Sequence, residues 1–378
     1  MRIAINTRLL LKNRLEGIGW YTYETLKRIT ANHPENEYFF LFDRKPDPSF
    51  IFSKNITPVV LHPQARHPIL WYLWFEFSVA RFLKKNKIDL FLSPDGYIPL
   101  KSNTPTLAVI HDINFHHHPE GIPWQFRTYF NHFFPKFARK ATRIVTVSEY
   151  SKNDISASYS INPDKIDVTH NGANTDYSPI TFEEKEAVKA KYSNDKPYFV
   201  FVGALNPRKN VARLLQAFDM FSLQSNEYNL VIVGEPMFLT KEIEHTLKNM
   251  RNRQSVIFTG RLKVDELRMV LGAATALTFV PYFEGFGIPM VEAMNCHVPI
   301  IASNRTSMPE VAGRAAYYVD PYNVDSIAKA MKLIATDGQL RDALIAEANQ
   351  RKKLFSWDNT AEKLYTSMLK TIKDTTKC

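Results

Sequence analysis

Cysteine is scarce in this sequence, which contains only Cys296 and Cys378 among its 378 residues. Two cysteines cannot form the disulfide framework of a small secreted protein, and their separation fits no metal-ligand motif. Long apolar runs are also missing, because no segment approaches the roughly 20 apolar residues of a membrane-spanning helix. The chain opens on a strand-like run and not on a signal peptide. We therefore expect a cytoplasmic protein whose membrane contact is at most peripheral, on the inner membrane face.

Motifs for a dinucleotide or a metal are incomplete or absent. Gly17 and Gly19 follow the first expected strand, but the third glycine of the dinucleotide fingerprint is missing and eleven residues separate strand and loop. This disfavours a dehydrogenase. No Asp-x-Asp pair occurs, and the run His116–His118 has no carboxylate or cysteine at a ligand spacing. We expect no metal site and no cofactor.

Apolar strands alternate with helical stretches along the chain, which is 45% hydrophobic and 23% charged. Such alternation is typical of parallel sheets with crossover helices. The pattern stops near Asn171–Asn174, and a polar stretch then runs to Lys196. The expected strands are Ile3–Ile5, Tyr38–Phe42, Val59–Leu61, Asp89–Leu92, Leu107–Ile110 and Arg143–Val147, then Tyr198–Val202, Leu230–Val233, Val256–Phe258, Ala276–Val280, Pro299–Ala302 and Tyr317–Val319.

These two series of strands predict an α/β protein with two doubly wound, Rossmann-like parallel-sheet domains. We expect the first domain over residues 1–177, the second over 178–356, and a helical tail over 357–378. Two such domains should bind their ligands in a cleft at the carboxyl ends of the strands.

The most informative stretch is Pro281–Glu292, which reads Pro-Tyr-Phe-Glu-Gly-Phe-Gly-Ile-Pro-Met-Val-Glu. Gly285 and Gly287 lie between an expected strand and an expected helix start, where unpaired N–H groups and the helix dipole favour a phosphate. Two carboxylates, Glu284 and Glu292, flank this loop and would repel a diphosphate unless they face sugar hydroxyls. The loop is therefore expected to bind a sugar attached to a diphosphate.

This stretch resembles the donor-site motif of family 4 glycosyltransferases, in which two glutamates eight positions apart enclose a Gly-Phe-Gly-x-Pro core. The segment Gly203–Asn210 resembles the phosphate clamp of that family, with Ala204 where many relatives carry an arginine. The resemblance implies a retaining, metal-independent enzyme of the two-domain GT-B fold, whose C-terminal helix crosses back to the first domain. It also implies a nucleoside-diphosphate sugar as the donor and an acceptor bound by the first domain.

The same resemblance implies roles for individual residues. Arg208 and Lys209 would neutralise the departing diphosphate, Glu284 would hold the transferred sugar, and Glu292 would bind the ribose hydroxyls. His111, at the end of an expected strand, would lie near the transferred sugar. The implied catalytic residues are His111, Glu284, Arg208 and Lys209; the implied donor-binding residues are Gly17, Gly19, Gly203, Arg208, Lys209, Gly234, Gly260, Glu284, Gly285, Phe286, Gly287 and Glu292.

The motifs leave the donor and the acceptor open. The segment Gly17–Thr22 and the Arg-Lys-Asn clamp look closest to relatives that use GDP-mannose, with UDP-sugars as the alternative. The resemblance implies a glycan or lipid-linked acceptor in cell-surface polysaccharide synthesis. Two other functions compete with this hypothesis: a sugar-nucleotide epimerase of the same fold, and a non-catalytic subunit that binds a sugar nucleotide.

The net charge of +10 is concentrated in two acid-free runs, within residues 81–87 and 127–143. Anionic phospholipid, a lipid diphosphate or nucleic acid could each meet such patches, although a solvated helix face is the simpler interpretation of any single residue. Aromatic residues accompany the runs over 69–77 and 124–137, at a spacing that fits either a core stripe or an interfacial helix. We expect an anionic membrane surface to be the partner to test, and no nucleic acid.

Overall fold

The structure, a computed structural model, describes residues 1–12, 14–236 and 241–375. Cys378 lies outside these residues. Contacts within the chain divide it into two compact units. Unit 1 comprises Met1–His117, Pro123–Gly172 and the described part of Ser356–Cys378, and unit 2 comprises His118–Ile122 and Ala173–Phe355. Each unit is an α/β domain on a parallel sheet, as the sequence predicts.

The two sheets contain thirteen strands among the described residues, and all pairings are parallel. The strands are β1 (Arg2–Asn6), β2 (Glu37–Phe42), β3 (Ile56–Val60), β4 (Leu90–Ser93), β5 (Thr106–Val109), β6 (Arg143–Thr146), β7 (Ile166–Val168), β8 (Tyr198–Val202), β9 (Asn229–Val233), β10 (Val256–Gly260), β11 (Ala276–Phe279), β12 (Ile300–Ser303) and β13 (Ala316–Val319). Their order is β3-β2-β1-β4-β5-β6-β7 in unit 1 and β10-β9-β8-β11-β12-β13 in unit 2.

The helices cover both faces of the sheets, so the central strands read as nearly continuous apolar runs. The described helices are α1 (Gly17–Asn32), α2 (Pro68–Leu73), α3 (Ala80–Lys85), α4 (Asn114–His117), α5 (Trp124–Lys140), α6 (Glu149–Tyr159), α7 (Phe182–Ser193), α8 (Val211–Ser222), α9 (Lys241–Asn249), α10 (Val264–Gly272), α11 (Ile288–Asn295), α12 (Met308–Ala312), α13 (Val324–Thr336), α14 (Gly338–Arg351) and α15 (Trp357–Thr375). A π-helical turn, Trp74–Val79, joins α2 to α3. None of the described helices combines the length and apolar content that a bilayer crossing requires.

Strand β7 is the one strand that the apolar pattern missed. It is only three residues long, and its central residue, Asp167, interrupts the apolar pattern. The Asp167 carboxylate instead forms an ion pair with Arg143 of β6, at 3.0 Å, and one with Lys370 of α15, at 3.1 Å. The edge strand of this sheet is therefore held in part by ion pairs. A search for apolar runs does not detect such pairs.

Helix α15 packs on α1 within unit 1. The Arg28 guanidinium donates to the Asp358 carboxylate at 2.7 Å, and the Trp357 ring meets the Tyr21 ring at a centroid distance of 6.2 Å. A side chain on Gly172 would overlap the backbone at the start of α15, so glycine permits this close approach. The C-terminal helix is thus an integral part of unit 1.

Candidate functional site

The loop after β8 places two cations at the carboxyl edge of the sheet of unit 2. Residues Pro207–Lys209 form a single 3₁₀ turn, which the left-handed Asn210 closes with φ 61°. The side-chain nitrogen Nδ2 of Asn210 donates to the carbonyl oxygen of Val280 at 2.9 Å and to that of Pro321 at 2.7 Å. These bonds anchor the turn beside the segment that follows β11, and so fix the positions of Arg208 and Lys209.

The Glu284 carboxylate lies between these two cations. Its Oε2 accepts a hydrogen bond from Arg208 Nη1 at 2.8 Å and another from Lys209 Nζ. Lys209 is nearly buried, and its ammonium group lies 4.8 Å from the centroid of the Phe279 ring. One carboxylate opposes two cations, so this cluster carries a net positive charge.

The charge state of Glu284 follows from this arrangement. Burial by itself raises the pKa of the Glu284 carboxyl, but Arg208 and Lys209 outweigh that effect and lower the pKa to about 2. The carboxylate is therefore ionised across the neutral range. It therefore remains an acceptor for both Arg208 and Lys209 over that range.

The Gly-Phe-Gly loop is held by one buried ring and one glycine. Phe286 is buried and meets the Phe355 ring at a centroid distance of 5.6 Å. Gly287 has φ 92°, and a Cβ there would lie only 3.0 Å from the methyl groups of Met290 and Met308. Gly287 precedes α11, so the loop leads into a helix start, as the sequence predicts, although Pro289 has no N–H and Met290 N donates to the Gly287 carbonyl oxygen at 3.0 Å. Gly285 lies buried within the same loop.

Glu292 lies on α11, just over one turn beyond Gly287, and is engaged by Tyr177. The Tyr177 hydroxyl lies close enough to the Glu292 carboxyl to act on its pKa. Burial raises the pKa of Glu292 to about 7, and Tyr177 offsets this only in part. The two glutamates of the motif therefore differ in charge, since Glu284 is fully ionised and Glu292 titrates near neutrality.

Three of the predicted glycines lie side by side at the carboxyl ends of β8, β9 and β10. Gly203 N donates to the carbonyl oxygen of Val233, and Gly234 N donates to that of Gly260, both at 3.0 Å. A Cβ on Gly234 would overlap the Gly203 carbonyl oxygen, so the absence of a side chain is required there for packing. Gly260, with φ 69°, has open space where a Cβ would point.

The loop after β12 also contacts the Glu284 segment. Ser307 Oγ donates to the Glu284 carbonyl oxygen at 2.8 Å. Thr306 adopts φ 55°, which is rare for a β-branched residue, and its buried hydroxyl has no partner within the described part of the chain. Strained residues of this kind cluster at ligand sites. The loop is therefore part of the candidate site.

His111 lies in unit 1, at the carboxyl end of β5 as predicted. Its Nε2 is 2.9 Å from the Pro94 carbonyl oxygen, and its ring meets the Tyr21 ring edge-on at 4.8 Å. A carbonyl only accepts hydrogen bonds, so Nε2 carries the proton and Nδ1 has the lone pair. Burial lowers the pKa of His111, which keeps the imidazole neutral at physiological pH.

The two other predicted residues of unit 1 differ in their surroundings. Gly17 is the first residue of α1, and a Cβ there would meet open space. A Cβ on Gly19 would lie 3.1 Å from Leu15 Cδ2 and 3.2 Å from the Leu9 carbonyl oxygen. A side chain at position 19 would therefore be too close to its neighbours, whereas the space next to Gly17 is open to a ligand.

Across the described ranges, no three His, Cys, Asp or Glu side chains converge in a way that could hold a metal ion. In the histidine run, His117 Nε2 lies 2.7 Å from the Asp154 carboxylate. The ring of His118, in contrast, packs beside Tyr282 at 6.4 Å. Adjacent histidines thus have different partners.

Two family descriptions match successive halves of the chain. Residues 15–177 match the family described as "Glycosyltransferase Family 4", and residues 182–351 match "Glycosyl transferases group 1". The second match contains the clamp of Arg208 and Lys209 and both glutamates. The chain belongs to the family 4 glycosyltransferases.

Two relatives match this glycosyltransferase over most of both chains. It is 28% identical over 365 residues to the O-antigen chain mannosyltransferase B of Escherichia coli. This alignment covers 92% of this chain and 94% of the relative. The chain is 29% identical over 308 residues to the O-antigen chain mannosyltransferase RfbU of Salmonella typhimurium, with coverage of 81% and 80%.

The fold of the glycosyltransferase is GT-B, as the sequence predicts. A solved structure of the Anabaena protein HepE, in complex with UDP and glucose, has a TM-score of 0.75 to this chain. The match covers 98% of this chain and 99% of that protein at 15% identity. At such identity the likeness establishes the fold alone.

Unit 2 of the glycosyltransferase brings together most of the residues that the sequence nominated. Arg208, Lys209 and Glu284 form one cluster, and the Gly285–Gly287 loop leads from it to α11 and Glu292. Residues Gly203, Gly234 and Gly260 form a separate row at the sheet edge. His111, Gly17 and Gly19 belong to unit 1.

Three contributors were not found by sequence reasoning: Tyr177, Asn210 and Ser307. Tyr177 was assigned to the first domain, yet its contacts place it in unit 2 beside Glu292. Asn210 was read as part of the clamp motif without a role of its own. Ser307 lies in the loop after β12, and a serine in a loop does not by itself signal a bond to the Glu284 carbonyl oxygen.

Proposed function

We propose that this glycosyltransferase transfers a hexose, with retention of anomeric configuration, from a nucleoside-diphosphate sugar to a glycan or lipid-linked acceptor in polysaccharide synthesis. The observation that carries the proposal is the cluster of Arg208, Lys209 and Glu284. It combines two cationic side chains, suited to a diphosphate, with an ionised carboxylate, suited to sugar hydroxyls.

GDP-mannose is the donor that we propose first. Two relatives that match most of this chain are named as O-antigen chain mannosyltransferases. UDP-sugars are the alternative, since the structurally similar HepE was solved with UDP and glucose. The same relatives support an acceptor in O-antigen-like polysaccharide synthesis.

In the proposed mechanism, the acceptor hydroxyl attacks the anomeric carbon on the face from which the diphosphate leaves. The bond from that carbon to the phosphate oxygen breaks, the new glycosidic bond forms, and the hydroxyl proton passes to the departing diphosphate. Arg208, Lys209 and the N–H groups at the start of α11 would stabilise the charge that develops on the leaving group.

The geometry supports an exchange of partners on donor binding. A diphosphate oxygen that meets Lys209 or Arg208 would compete with the Glu284 carboxylate for the same donors. The carboxylate would then accept hydrogen bonds from hydroxyls of the hexose, while Glu292 would accept those of the ribose diol. The neutral His111 would contact the transferred sugar, as the family resemblance implies.

Purified protein and a panel of nucleotide sugars test this function. We expect calorimetric binding of one nucleoside diphosphate, slow hydrolysis of its sugar donor without acceptor, and transfer to a matching acceptor. Proton NMR of the first product should show the anomeric configuration of the donor. An inverted product would refute the retaining mechanism.

The same experiment separates the two competing functions. An epimerase would convert the donor to a different free or nucleotide-linked sugar and would show no dependence on acceptor. A non-catalytic subunit would bind the nucleotide and would neither hydrolyse nor transfer the sugar.

We further propose that unit 1 contacts an anionic membrane surface. Helices α2 and α5 pack together, with the Trp71 ring stacked on Phe130 at 5.9 Å, so most of the α5 aromatic stripe serves as core. Four apolar side chains around this pair nevertheless remain exposed: Ile69, Leu73, Phe77 and Trp124. Helices α3 and α5 also carry lysines and arginines, and apolar side chains together with basic ones are typical of interfacial helices.

Vesicle co-sedimentation tests this contact. We expect binding to vesicles with anionic phospholipid and little binding to zwitterionic ones. Replacing Ile69, Phe77 and Trp124 by Ser should reduce it at least tenfold, whereas the same change at the exposed Phe258 and Leu354 of unit 2 should not. Equal loss in both variants, or no binding by the wild type, would refute the contact.

A further inference from the structure

A cavity of about 380 Å³ opens in unit 1, beyond the carboxyl ends of β1 and β2. This volume lies within the usual range of small-ligand sites. Four cationic side chains contribute to its wall: Arg8, Lys12, Arg44 and Lys45. Among the described residues of the wall, Asp47 is the only acidic one, and its carboxylate pairs with Lys12 Nζ at 2.8 Å; the others, apart from the four cations, are apolar. None of these residues belongs to the candidate donor site of unit 2.

Two buried aspartates orient the arginines of this wall. Arg44 donates from Nε and Nη2 to both carboxylate oxygens of Asp43, at 2.6 and 2.7 Å. Arg8 donates from Nε to the Asp95 carboxylate at 2.8 Å. Both carboxylates are almost inaccessible to solvent. The Arg8 guanidinium is almost inaccessible and packs over the Tyr97 ring at 4.6 Å. Arg44, held on one edge by a buried acid, presents its other edge in a defined direction, as recognition of an anion requires.

Three of the four cations are ion-paired, Arg8 with Asp95, Arg44 with Asp43 and Lys12 with Asp47, and Lys45 supplies the excess charge of the cavity. Arg44 Nη1 and Lys45 Nζ have no acceptor within the described part of the chain. Hydrogen bonding to Asp43 raises the pKa of Arg44, and the nearby positive charge of Arg8 acts in the opposite direction. Convergent like charges at a cavity favour an anion between them.

The wall of the cavity is connected to His111. Asp95, which holds Arg8, follows Pro94, whose carbonyl oxygen lies 2.9 Å from His111 Nε2. Asn6, at the end of β1, donates to the other oxygen of the Asp95 carboxylate at 2.7 Å. One short segment thus positions both an arginine of the cavity and the imidazole at the end of β5. A ligand in the cavity would lie along the same sheet edge as His111.

We infer that this cavity binds a phosphate or diphosphate ester carried by the acceptor. The inference rests on the proposed glycosyltransferase function, because it assigns the anion to the acceptor and not to the donor. The apolar part of the wall, which includes Leu11 and Phe42, suits a hydrocarbon next to the phosphate. A phosphorylated glycan would supply the same anion without the hydrocarbon.

Calorimetry with inorganic pyrophosphate tests the anion site in the full chain. The double variant Arg44→Gln, Lys45→Gln keeps the buried Arg8–Asp95 pair and removes two cavity charges. We expect it to weaken pyrophosphate binding about tenfold or more. The matched control Lys54→Gln removes an exposed charge of unit 1 outside the cavity and should have no effect.

The donor site also attracts pyrophosphate, so Lys209→Ala serves as the second comparison. Binding that survives Lys209→Ala and is lost in the double variant belongs to the cavity. The double variant should retain wild-type affinity for the nucleoside diphosphate, which keeps this test independent of the donor-site proposal. Pyrophosphate binding that is equal in the double variant and the Lys54→Gln control would overturn the inference.

A prenyl diphosphate distinguishes the two sources of the anion. If the acceptor is lipid-linked, farnesyl diphosphate should bind more tightly than inorganic pyrophosphate, and Leu11→Ser should remove the difference. Equal affinities of the two probes would assign the anion to a phosphorylated glycan. If neither probe depends on Arg44 and Lys45, the cavity is not an anion site.

Discussion

Glu284 Oε2 lies 2.8 Å from Arg208 Nη1, a hydrogen bond between residues 76 positions apart in the chain. The bond joins the two segments that resemble the donor-site motif and the phosphate clamp of family 4 glycosyltransferases. Lys209 bonds to the same oxygen. The acidic and basic residues of the site are therefore one electrostatic unit, and a change to any member alters the others.

Replacing Lys209 by Ala should weaken nucleoside-diphosphate binding by about 1.5–3 kcal/mol, since a charge-assisted hydrogen bond is lost. Isothermal calorimetry measures this directly. Lys329→Ala, which removes an exposed lysine from α13, is the matched control and should bind normally. An unchanged affinity in Lys209→Ala would place the diphosphate elsewhere.

The two glutamates should respond differently to replacement by Gln. At pH 8, where Glu292 is mostly ionised, Glu292→Gln should weaken binding of the bare nucleoside diphosphate by about 1–3 kcal/mol, because the ribose diol loses a charged acceptor. Glu284→Gln should leave that affinity equal or stronger, since Arg208 and Lys209 lose their competing carboxylate. It should instead depress turnover, as expected for a contact with the transferred sugar.

Calorimetry with the diphosphate and initial rates with the sugar donor check both halves of this prediction. Thermal unfolding of each variant controls for lost structure, because Glu284 neutralises partly buried cations. A Glu284→Gln variant that binds the diphosphate as poorly as Glu292→Gln would show that the roles are not divided in this way.

Stability should depend on pH through Glu292. Its pKa is raised from 4.5 unfolded to about 7 folded, so the folded state holds the proton more tightly. The contribution of this proton to the free energy of unfolding, roughly 1–3 kcal/mol, is fully present below pH 4.5 and is lost as the pH rises through 7. Glu292→Gln cannot ionise and should therefore become more stable than the wild type as the pH rises.

Melting temperatures at pH 5 and pH 8 measure this effect. The melting temperature of Glu292→Gln relative to that of the wild type should be several degrees higher at pH 8 than at pH 5. Glu347→Gln, at an exposed position on α14, should keep a constant gap to the wild type. Parallel behaviour of the two variants would contradict the raised pKa of Glu292.

Gly234→Ala should destabilise unit 2 by about 2–4 kcal/mol, because the new Cβ would overlap the Gly203 carbonyl oxygen. Chemical denaturation measures the loss. Gly338→Ala, at the first residue of α14 where a Cβ has ordinary contacts, should be neutral or slightly stabilising. Equal stability of the two variants would show that the backbone at Gly203 can move away from a Cβ at position 234 without a measurable cost.

Turnover should not require a divalent metal. The family resemblance implies metal-independent catalysis, and the described residues contain no cluster of acidic or histidine ligands. Rates measured with and without EDTA should agree within error, with dialysed protein as the control. Activity that EDTA abolishes and manganese restores would refute this prediction.

The sequence was sufficient to predict the two parallel sheets and the GT-B fold. Apolar strands that are covered on both faces leave a clear signal, and twelve of the thirteen described strands overlap an expected one. The strand β7 was missed because Asp167 is held by ion pairs and not by apolar burial. The turn of Arg208 and Lys209 was likewise readable as a motif, although its anchor, Asn210, was not.

By itself, the sequence determined which local elements form, because glycine positions, helix starts and apolar periodicity act over a few residues. It also determined the family, through spacing within single segments. Only the tertiary structure decided the charge states of the site. Burial and partners far along the chain set a pKa, so two glutamates eight positions apart become a permanent carboxylate at Glu284 and a neutral-pH titrating group at Glu292.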